Sequence, residues 1–335
     1  MTMNIRITIH TAILTLAAAA GLTACTQAVA EPAPAKEISA TPYSPVYSPE
    51  IPKTVELCGE KVDLDREDMY ERFDREITAM AYGHSTTLAT LKRANRYFPV
   101  MAPILKEEGV PMDMLYLACI ESSLHPVARS GAGAAGFWQI MPATARENGL
   151  VVNDSVDQRY DLELSTRAAC KILKRAYEKY GNWESAAASY NGGMGRVSRE
   201  LAAQEAESAY DLYLNEETSR YMFRLLAMKA IMDNPSAFGY NIRPDQFYYP
   251  IEYDVVEVTA PVADWGAWAR AHGTTYMQLR NHNPWIRGKS LPAPKAVKGR
   301  AKPDTNVYRV LVPKSESLSR SKNKSTLFNP NWSNL

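Results

Sequence analysis

The sequence predicts a mainly α protein in which a long helical body is followed by a small α+β module. Through most of residues 65–234, apolar residues recur every three or four positions, which is the spacing of amphipathic helices. After residue 245 the pattern changes. Two short runs rich in Val and Tyr, at 253–258 and 308–312, are typical of strands, and two short helical segments lie between them.

The composition is that of an ordinary globular protein. The chain has 335 residues, of which 46% are hydrophobic, 10% aromatic and 22% charged. These values exclude a wholly disordered, collagenous or coiled-coil protein, and the length suffices for one large domain or two ordinary ones. Lys and Arg total 38 against 37 for Asp and Glu, so the charge gives no reason to expect a nucleic-acid partner. Four cysteines are too few for a disulfide scaffold.

The N-terminus has the features of a secretory signal. Residues 1–24 contain no acidic residue and one base, Arg6. The apolar run at 13–22, about ten residues long, is too short for a permanent transmembrane helix. It leads into Leu-Thr-Ala-Cys at 22–25, which resembles the bacterial lipobox. The resemblance implies that Cys25 is lipidated and anchors the mature chain on the periplasmic side of a bacterial membrane, outer or inner. An ordinary cleavage site is the alternative.

Proline and polar residues delimit the predicted domains. Six prolines interrupt residues 25–56, which we interpret as an extended tether. The helical body is assigned to 57–244 and the α+β module to 245–313. Residues 314–335 are rich in Ser, Lys and Asn and have little to bury, so a disordered tail is predicted there.

Apolar stripes place the helices of the body. After Asp65 comes a stripe spaced by four, four and three residues, which predicts a first amphipathic helix. That stripe consists of Met69, Phe73, Ile77 and Met80. The further predicted helices are one containing Leu88, Leu91 and Phe98, and those at 112–121, 165–180, 183–190 and 216–233. Within the module, helices are predicted at 265–272 and 275–281.

Glu121 is the first candidate for chemistry. It lies four residues after Leu117 on the third predicted helix, so its carboxyl group is expected beside apolar neighbours. Such surroundings disfavour the charged form, which predicts a raised pKa for this carboxyl. A glutamate that is protonated near neutral pH can act as a general acid. Taken alone, the pattern is more often a surface glutamate at a helix end.

Two further segments offer groups suited to a carbohydrate. Residues 131–142 combine small residues, which let the backbone approach a ligand, with Trp138 and Gln139. An aromatic face and an amide suit a sugar ring and its acetamido group. A later Ser-Tyr-Asn-Gly-Gly run predicts a helix that ends by presenting Tyr190 and Asn191. The structural alternatives are a core tryptophan and a plain helix C-cap.

In combination, these motifs occur in the order and spacing of a known family. The motifs are Glu-Ser at 121–122, Gly-Phe-Trp-Gln at 136–139, Ser-Tyr-Asn-Gly-Gly at 189–193 and Glu-Thr-Ser-Arg-Tyr at 217–221. The chain resembles the lytic murein transglycosylases with a goose-lysozyme-like fold, closely over roughly residues 55–240 and more loosely over 245–313. One departure lies at 137–138, where the family often has Leu or Met.

The resemblance implies a lysozyme-like (SLT) catalytic domain and assigns roles within it. Glu121 is implied to be the single catalytic acid/base, hydrogen-bonded by Tyr221. The implied substrate-binding residues are Ser122, Gln139, Tyr190, Asn191 and Tyr221. The implied reaction cleaves the β-1,4 bond between N-acetylmuramic acid and N-acetylglucosamine in peptidoglycan strands and forms a 1,6-anhydro product. It requires no metal and no cofactor.

Two other functions stay open at this point. A hydrolytic muramidase would use water and need a second carboxylate, for which Glu147, Asp157 and Asp161 are the nearest in sequence. We favour structural roles for all three, because Asp161 precedes Ser165, the expected N-cap of a helix. A non-catalytic peptidoglycan-binding lipoprotein would have no use for Glu121 as an acid.

The module and the cysteines leave alternatives. Residues 245–313 loosely resemble a LysM repeat, which binds N-acetylglucosamine chains, and they fit equally an accessory domain packed on the catalytic body. Cys119 and Cys170 lie in apolar helical segments and are predicted to be buried thiols rather than a bridge. No Cys/His spacing indicates zinc, and a monomer is expected. Endo and exo cleavage are not distinguished.

Overall fold

A computed structural model describes residues 47–293, 307–321 and 326–333. The predicted signal peptide at 1–24, the lipidation site Cys25 and most of the predicted tether lie outside these residues. From Ser48 onward the chain forms one unit. Within the described ranges, no helix combines the length and the apolar character needed to cross a membrane.

A β-hairpin that the sequence analysis missed begins the folded body. β1 (Thr54–Leu57) pairs antiparallel with β2 (Glu60–Asp63), and Val55 lies opposite Val62. The turn residues Cys58 and Gly59 have φ angles of 54° and 86°, which match the twist of a tight hairpin. Both valines are buried in the main core. The tether predicted for 25–56 therefore ends before Thr54.

Helices make up most of the remaining body. They are α1 (Glu67–Tyr82), α2 (His84–Glu108), α3 (Leu115–Ser122), α4 (Pro142–Glu147), α5 (Leu162–Tyr180), α6 (Trp183–Gly192), α7 (Met194–Ala203) and α8 (Glu216–Asp233). Short 3₁₀ turns lie at Met112–Met114, Gln158–Tyr160, Ala209–Asp211, Pro235–Phe238, Pro244–Gln246 and Pro330–Trp332. The predicted helices are present, whereas α4 and α7 were not predicted.

The start of α5 corrects one prediction. Asp161, not Ser165, is its N-cap: the Asp161 carboxylate accepts a 2.9 Å hydrogen bond from the backbone N–H of Leu164. Ser165 is buried inside the helix instead. Because an aspartate side chain caps a helix as well as a serine does, α5 begins three residues earlier than predicted.

The central helix of the body is α8. It packs against α1, α3 and α6, and α2 packs against α5. Residues from all sides of α8 are buried, including Phe223, Leu225 and Leu226, as expected for a helix inside a helical domain. Cys119 and Cys170 are buried free thiols, as predicted.

The C-terminal module is a strand–helix–helix–strand unit. In chain order it contains β3 (Tyr253–Val258), α9 (Trp265–Ala271), α10 (Tyr276–His282) and β4 (Tyr308–Pro313), with β3 and β4 antiparallel. Its apolar core is continuous with three residues of the body, Ala135, Val156 and Tyr160. The module is therefore packed on the catalytic body, which is one of the two arrangements that the sequence left open.

The C-terminal segment differs from its prediction as a disordered tail. In the described part, 326–333, Trp332 is only 3% exposed, and its indole N–H donates to the carbonyl of Met232 at 2.7 Å. The Phe328 backbone N–H donates to the side chain of Asn95 at 2.8 Å. Two aromatic rings bury enough apolar surface to offset the ordering of a short polar segment, and composition alone conceals this.

Candidate active site

Glu121 lies in the last turn of α3. Upstream residues of the helix, including Leu117 and Ala118, are completely buried and anchor it in the core. The helix ends because Ser123 and Leu124 adopt positive φ angles of 51° and 54°, which are uncommon for residues other than glycine. The chain turns away at this point, and the carboxyl group of Glu121 is left at the half-buried edge of the core.

The surroundings of Glu121 favour its protonated form. Burial raises the pKa of this carboxyl from its usual 4.5 to about 7, and the negative charge of Glu217 contributes in the same direction. The hydrogen bond from Tyr221 and the positive charge of Arg224 act in the opposite direction. Because burial is the largest of these causes, the glutamate keeps a large protonated fraction at neutral pH.

Tyr221 is the hydrogen-bond partner of Glu121. Its hydroxyl donates to Glu121 Oε1 at 2.7 Å, and the ring is buried within α8. Burial, together with the neighbouring carboxylate, holds the pKa of Tyr221 well above its usual value. The phenol therefore remains a hydrogen-bond donor across the physiological pH range and orients the carboxyl group.

The catalytic loop, defined here as residues 131–142, places its aromatic residues in the core. Trp138 has no exposed surface, and its indole N–H donates to Thr166 Oγ1 at 2.9 Å. Phe137 is also buried, in edge contact with Tyr97 at 4.8 Å between ring centroids. The expectation that Trp138 presents its face to a sugar is therefore wrong, and the alternative of a core tryptophan holds.

Gly136 lets the catalytic loop pack closely against the backbone of Arg159. Gly136 has φ +79°, and a Cβ at this position would lie 1.9 Å from the carbonyl oxygen of Arg159. No other residue fits there without moving the backbone. Gln139, with φ 45°, donates from its side-chain amide to the carbonyls of Gly136 at 2.8 Å and Ala128 at 3.3 Å. The half-buried amide of Gln139 therefore stabilises the loop conformation and also lies at the loop surface.

Ser122 connects α3 to the catalytic loop. Its hydroxyl lies 2.8 Å from the carbonyl oxygen of Phe137 and 3.0 Å from that of Ala118. The single hydroxyl proton is therefore used within the protein. This geometry agrees with the expectation that Ser122 helps to hold the site, and it gives no indication of a contact with substrate.

The end of α6 contributes Tyr190 and Asn191. The Tyr190 hydroxyl donates to the carbonyl of Trp138 at 2.8 Å, and the charge of Glu121 is one cause of its raised pKa. Asn191 accepts a 2.9 Å hydrogen bond from Thr218 Oγ1 on α8. Both side chains therefore tie α6 to its neighbours, and the three sequence motifs meet around Glu121.

The carboxylates proposed for a hydrolytic mechanism are engaged elsewhere. Asp157 forms a 2.7 Å ion pair with Arg159, and Asp161 caps α5. Glu147 is exposed at the end of α4. Two charges that act on Glu121 come from α8 and were not predicted from the sequence. Glu217 and Arg224 lie four residues before and three residues after Tyr221, each about one helical turn from it.

No metal centre is evident in the part of the chain that the structure describes. Within residues 47–293, 307–321 and 326–333, no group of three His, Cys, Asp or Glu side chains is arranged to hold a metal ion. The chemistry considered below uses only the glutamate and its hydrogen-bond partner.

Comparison with known proteins identifies two families along the chain. Residues 100–213 match the family described as "Transglycosylase SLT domain". Residues 254–316 match the "Soluble lytic transglycosylase C-terminal LysM-like domain". Glu121, Gln139 and Tyr190 fall within the first match.

Two curated relatives are named as transglycosylases. The chain is 30% identical over 228 residues to membrane-bound lytic murein transglycosylase D of Escherichia coli (strain K12), which is 67% of this chain and 49% of that protein. It is 38% identical over 122 residues to peptidoglycan transglycosylase gp16 of Escherichia phage T7, 35% of this chain and 9% of that protein. The chain thus spans about half the length of the first relative.

Among solved structures, the fold is similar to that of the 70 kDa soluble lytic transglycosylase from Escherichia coli. The TM-score is 0.38 with 21% sequence identity, over 48% of this chain and 30% of that chain. Residues 100–213 of this chain thus form a transglycosylase SLT domain, and a LysM-like domain follows it at residues 254–316.

Proposed function

We propose that this protein is a peptidoglycan lytic transglycosylase in which Glu121 is the single acid/base. The observation that carries the proposal is a half-buried glutamate with a pKa of about 7, held by a neutral tyrosine hydroxyl 2.7 Å away. A general acid works best when its pKa lies near the working pH. The SLT domain match and the printed names of the relatives agree with this function.

In the first step, protonated Glu121 donates its proton to the glycosidic oxygen between N-acetylmuramic acid and N-acetylglucosamine. The bond from C1 of the muramic acid to that oxygen breaks, and the leaving sugar takes the proton. Positive charge develops at C1, where the acetamido group of the same sugar can stabilise it. Tyr221 stabilises the carboxylate that forms, since hydrogen bonds to a charged acceptor are stronger than those to a neutral one.

In the second step, the Glu121 carboxylate accepts the proton of the C6 hydroxyl group. The C6 oxygen then attacks C1 of the same sugar and closes a 1,6-anhydro ring, and Glu121 regains its starting proton. A nucleophile within the substrate has a high effective concentration, so no second carboxylate is needed to activate water. The cycle consumes no water and no cofactor.

Hydrolysis is the competing reaction on this site. It requires a second carboxylate that activates water or attacks C1. Because Glu217 is the carboxylate whose charge acts on Glu121, it is the residue to test, in place of those named from the sequence. We favour transglycosylation because Glu217 is exposed on α8, and because the SLT domain match and the names of both relatives agree with it.

The experiment is digestion of purified sacculi, followed by mass spectrometry of the released muropeptides. We expect products that lack one water relative to hydrolysis products. Glu121→Gln is expected to reduce release by roughly 10²–10⁴-fold, the range for loss of a general acid, and to leave sacculus binding intact. Glu147→Gln, a matched change at an exposed glutamate, is expected to change nothing.

Two results would contradict the assignment as a lytic transglycosylase. Reducing-end products that disappear in Glu217→Gln would replace transglycosylation by hydrolysis with two carboxylates. Wild-type protein that binds sacculi but releases nothing would identify a non-catalytic binding lipoprotein, the remaining alternative.

We also propose that the chain is held at a membrane through lipidated Cys25 and acts in the periplasm. The support is the lipobox-like sequence at 22–25 and the word "membrane-bound" in the name of the first relative. Separation of the inner and outer membranes is expected to recover the wild-type chain with one of them. Recovery of Cys25→Ser in the same membrane fraction would contradict a lipid anchor.

A further inference from the structure

The LysM-like module joins the catalytic body through backbone hydrogen bonds as well as a shared core. Val156 of the body and Ile286 of the module form an antiparallel β-bridge. Beside it, the backbone N–H of Asp157 donates to the carbonyl of Trp285 at 2.8 Å. Val156 and Ile286 are both buried. The module therefore fixes the backbone of Val156 and Asp157.

Asp157 is one half of a buried ion pair. It is 7% exposed and its partner Arg159 is 5% exposed. Arg159 donates from Nε to Oδ1 at 2.9 Å and from Nη2 to Oδ2 at 2.7 Å. Such a two-point contact sets the orientation of the guanidinium as well as compensating its charge. The position of Asp157 therefore determines the direction in which Arg159 points.

The third guanidinium nitrogen of Arg159 holds the catalytic loop. Nη1 donates to the carbonyl of Gly133 at 2.7 Å and to that of Ile140 at 3.0 Å, near the two ends of the loop. The backbone of Arg159 also lies against Gly136, where no Cβ fits. The Arg159 side chain thus binds two carbonyls of the loop. The Arg159 main chain leaves room only for glycine at position 136.

The loop in turn holds groups next to Glu121. The carbonyl of Phe137 lies 2.8 Å from the hydroxyl of Ser122, the residue after Glu121. The carbonyl of Trp138 accepts from Tyr190, whose phenol is electrostatically coupled to Glu121. Hydrogen bonds joined by the backbone of the catalytic loop therefore connect the module to the turn that carries the proposed acid.

We propose that the LysM-like module is a structural part of the active site and that Arg159 is a positioning residue. The module fixes Asp157, Asp157 orients Arg159, and Arg159 sets the catalytic loop against which Glu121 is placed. This inference rests on the proposed function. Small displacements of a catalytic group cost large factors in rate, so loosening this series lowers turnover even though Asp157 and Arg159 are themselves buried.

A module that only tethers the enzyme to glycan chains predicts a different outcome. Loss of tethering weakens binding to sacculi and leaves the turnover of a short soluble substrate unchanged. Loss of positioning lowers the turnover of that same short substrate and leaves sacculus binding unchanged. The two roles therefore separate in the kcat and KM of a soluble tetrasaccharide of alternating N-acetylglucosamine and N-acetylmuramic acid.

The test compares Arg159→Lys and Ile286→Ala with the wild-type full chain. Lysine keeps the positive charge beside Asp157 but cannot bind both carboxylate oxygens and two carbonyls at once. For Arg159→Lys we expect kcat on the tetrasaccharide to fall about tenfold or more, with KM within about twofold. Ile286→Ala, which acts from the module side, is expected to lower kcat in the same direction by several-fold.

Val310→Ala is the matched control, since Val310 is a fully buried module residue on β4. It is expected to leave kcat unchanged, and thermal unfolding establishes that each variant is folded at the assay temperature. Unchanged kcat in folded Arg159→Lys, or a loss confined to sacculus binding, overturns the inference. If the wild-type chain cleaves nothing, the proposed function fails, whereas an active wild type with a fully active Arg159→Lys refutes the positioning role alone.

Discussion

Two glutamates accept hydrogen bonds from side chains of α8, and their partners differ in charge. Glu76 on α1 is 2% exposed and accepts hydrogen bonds from Arg220 at 2.6 and 3.2 Å, with Arg224 Nε 3.4 Å from its second oxygen. Glu121 on α3 accepts its hydrogen bond from the neutral hydroxyl of Tyr221. Glu76 thus faces two guanidinium groups of α8, whereas Glu121, whose pKa is raised by burial, faces a neutral hydroxyl.

The register of α8 produces this difference. Arg220 and Tyr221 are consecutive, and consecutive residues of a helix point about 100° apart, toward different neighbours. Arg220 and Arg224, four residues apart, face α1 and Glu76, whereas Tyr221 faces α3 and Glu121. One helix thus provides a structural ion pair on one side and a hydrogen bond to the proposed acid on another.

The largest effect on stability is expected from Glu76→Gln. It removes the buried carboxylate that faces the guanidinium groups of Arg75, Arg220 and Arg224, and removing one partner of a buried pair is strongly destabilising. Because Arg220 and Arg224 are 30% and 33% exposed, solvent reduces the loss to about 2 kcal/mol. Urea unfolding at pH 8 measures it. Glu216→Gln, at an exposed partner of Arg220, is the control, and an equal loss there would contradict the contrast.

The matching change at Glu121 is expected to stabilise the protein at high pH. The pKa of this carboxyl is about 7 when folded and 4.5 in its usual environment. Between these values the folded state binds more protons than the unfolded state, so wild-type stability falls as pH rises through this window. The Glu121→Gln variant has no titratable group at this position, so its stability does not fall in this way. Its gain is expected to be absent below pH 4.5 and to reach on the order of 2 kcal/mol at pH 8.

Urea unfolding of both proteins from pH 4 to pH 8 measures this difference. The two stability curves should separate as pH rises through the window between 4.5 and 7, with the variant above the wild type. Curves that remain parallel would mean that the carboxyl of Glu121 titrates in the folded protein as it does in water.

The sequence predicted elements that carry a long or regular apolar pattern. The strand β3 and helix α8 lie where they were expected, since β3 is a run rich in Val and Tyr and α8 is a long segment rich in apolar residues. The β1–β2 hairpin was missed because each strand has four residues, too few to show a period. In α7, Met194, Val197 and Leu201 follow helical spacing, but this short stripe begins directly after the Gly-Gly pair that was interpreted as a helix end, so the helix was missed.

The site was predicted less completely, for a different reason. The raised pKa of Glu121 followed from its neighbours in the same helix, but the contact with Tyr221 joins residues 100 positions apart. That pair came only from the family resemblance, since local chemistry carries no information about a distant partner. Trp138 shows the opposite error: an aromatic residue in a glycine-rich loop suggests a binding face, and only packing reveals that it is buried.

The smallest effect, on the acid itself, is expected from Tyr221→Phe. The hydroxyl favours the charged form of Glu121, so its removal raises the pKa of that carboxyl above about 7. Since the first step needs the protonated acid, the alkaline limb of kcat/KM against pH should move to higher pH. Loss of a hydrogen bond to the developing carboxylate should lower the rate about tenfold.

Tyr240→Phe is the matched control, because it also removes a half-buried hydroxyl, one that donates to the carbonyl of Met80 at 2.7 Å and makes no contact with Glu121. It should leave the alkaline limb in place. If Tyr221→Phe leaves the limb unmoved or shifts it to lower pH, the hydroxyl does not stabilise the charged acid. The pKa of Glu121 would then be set by burial and by the neighbouring charges, and not by Tyr221.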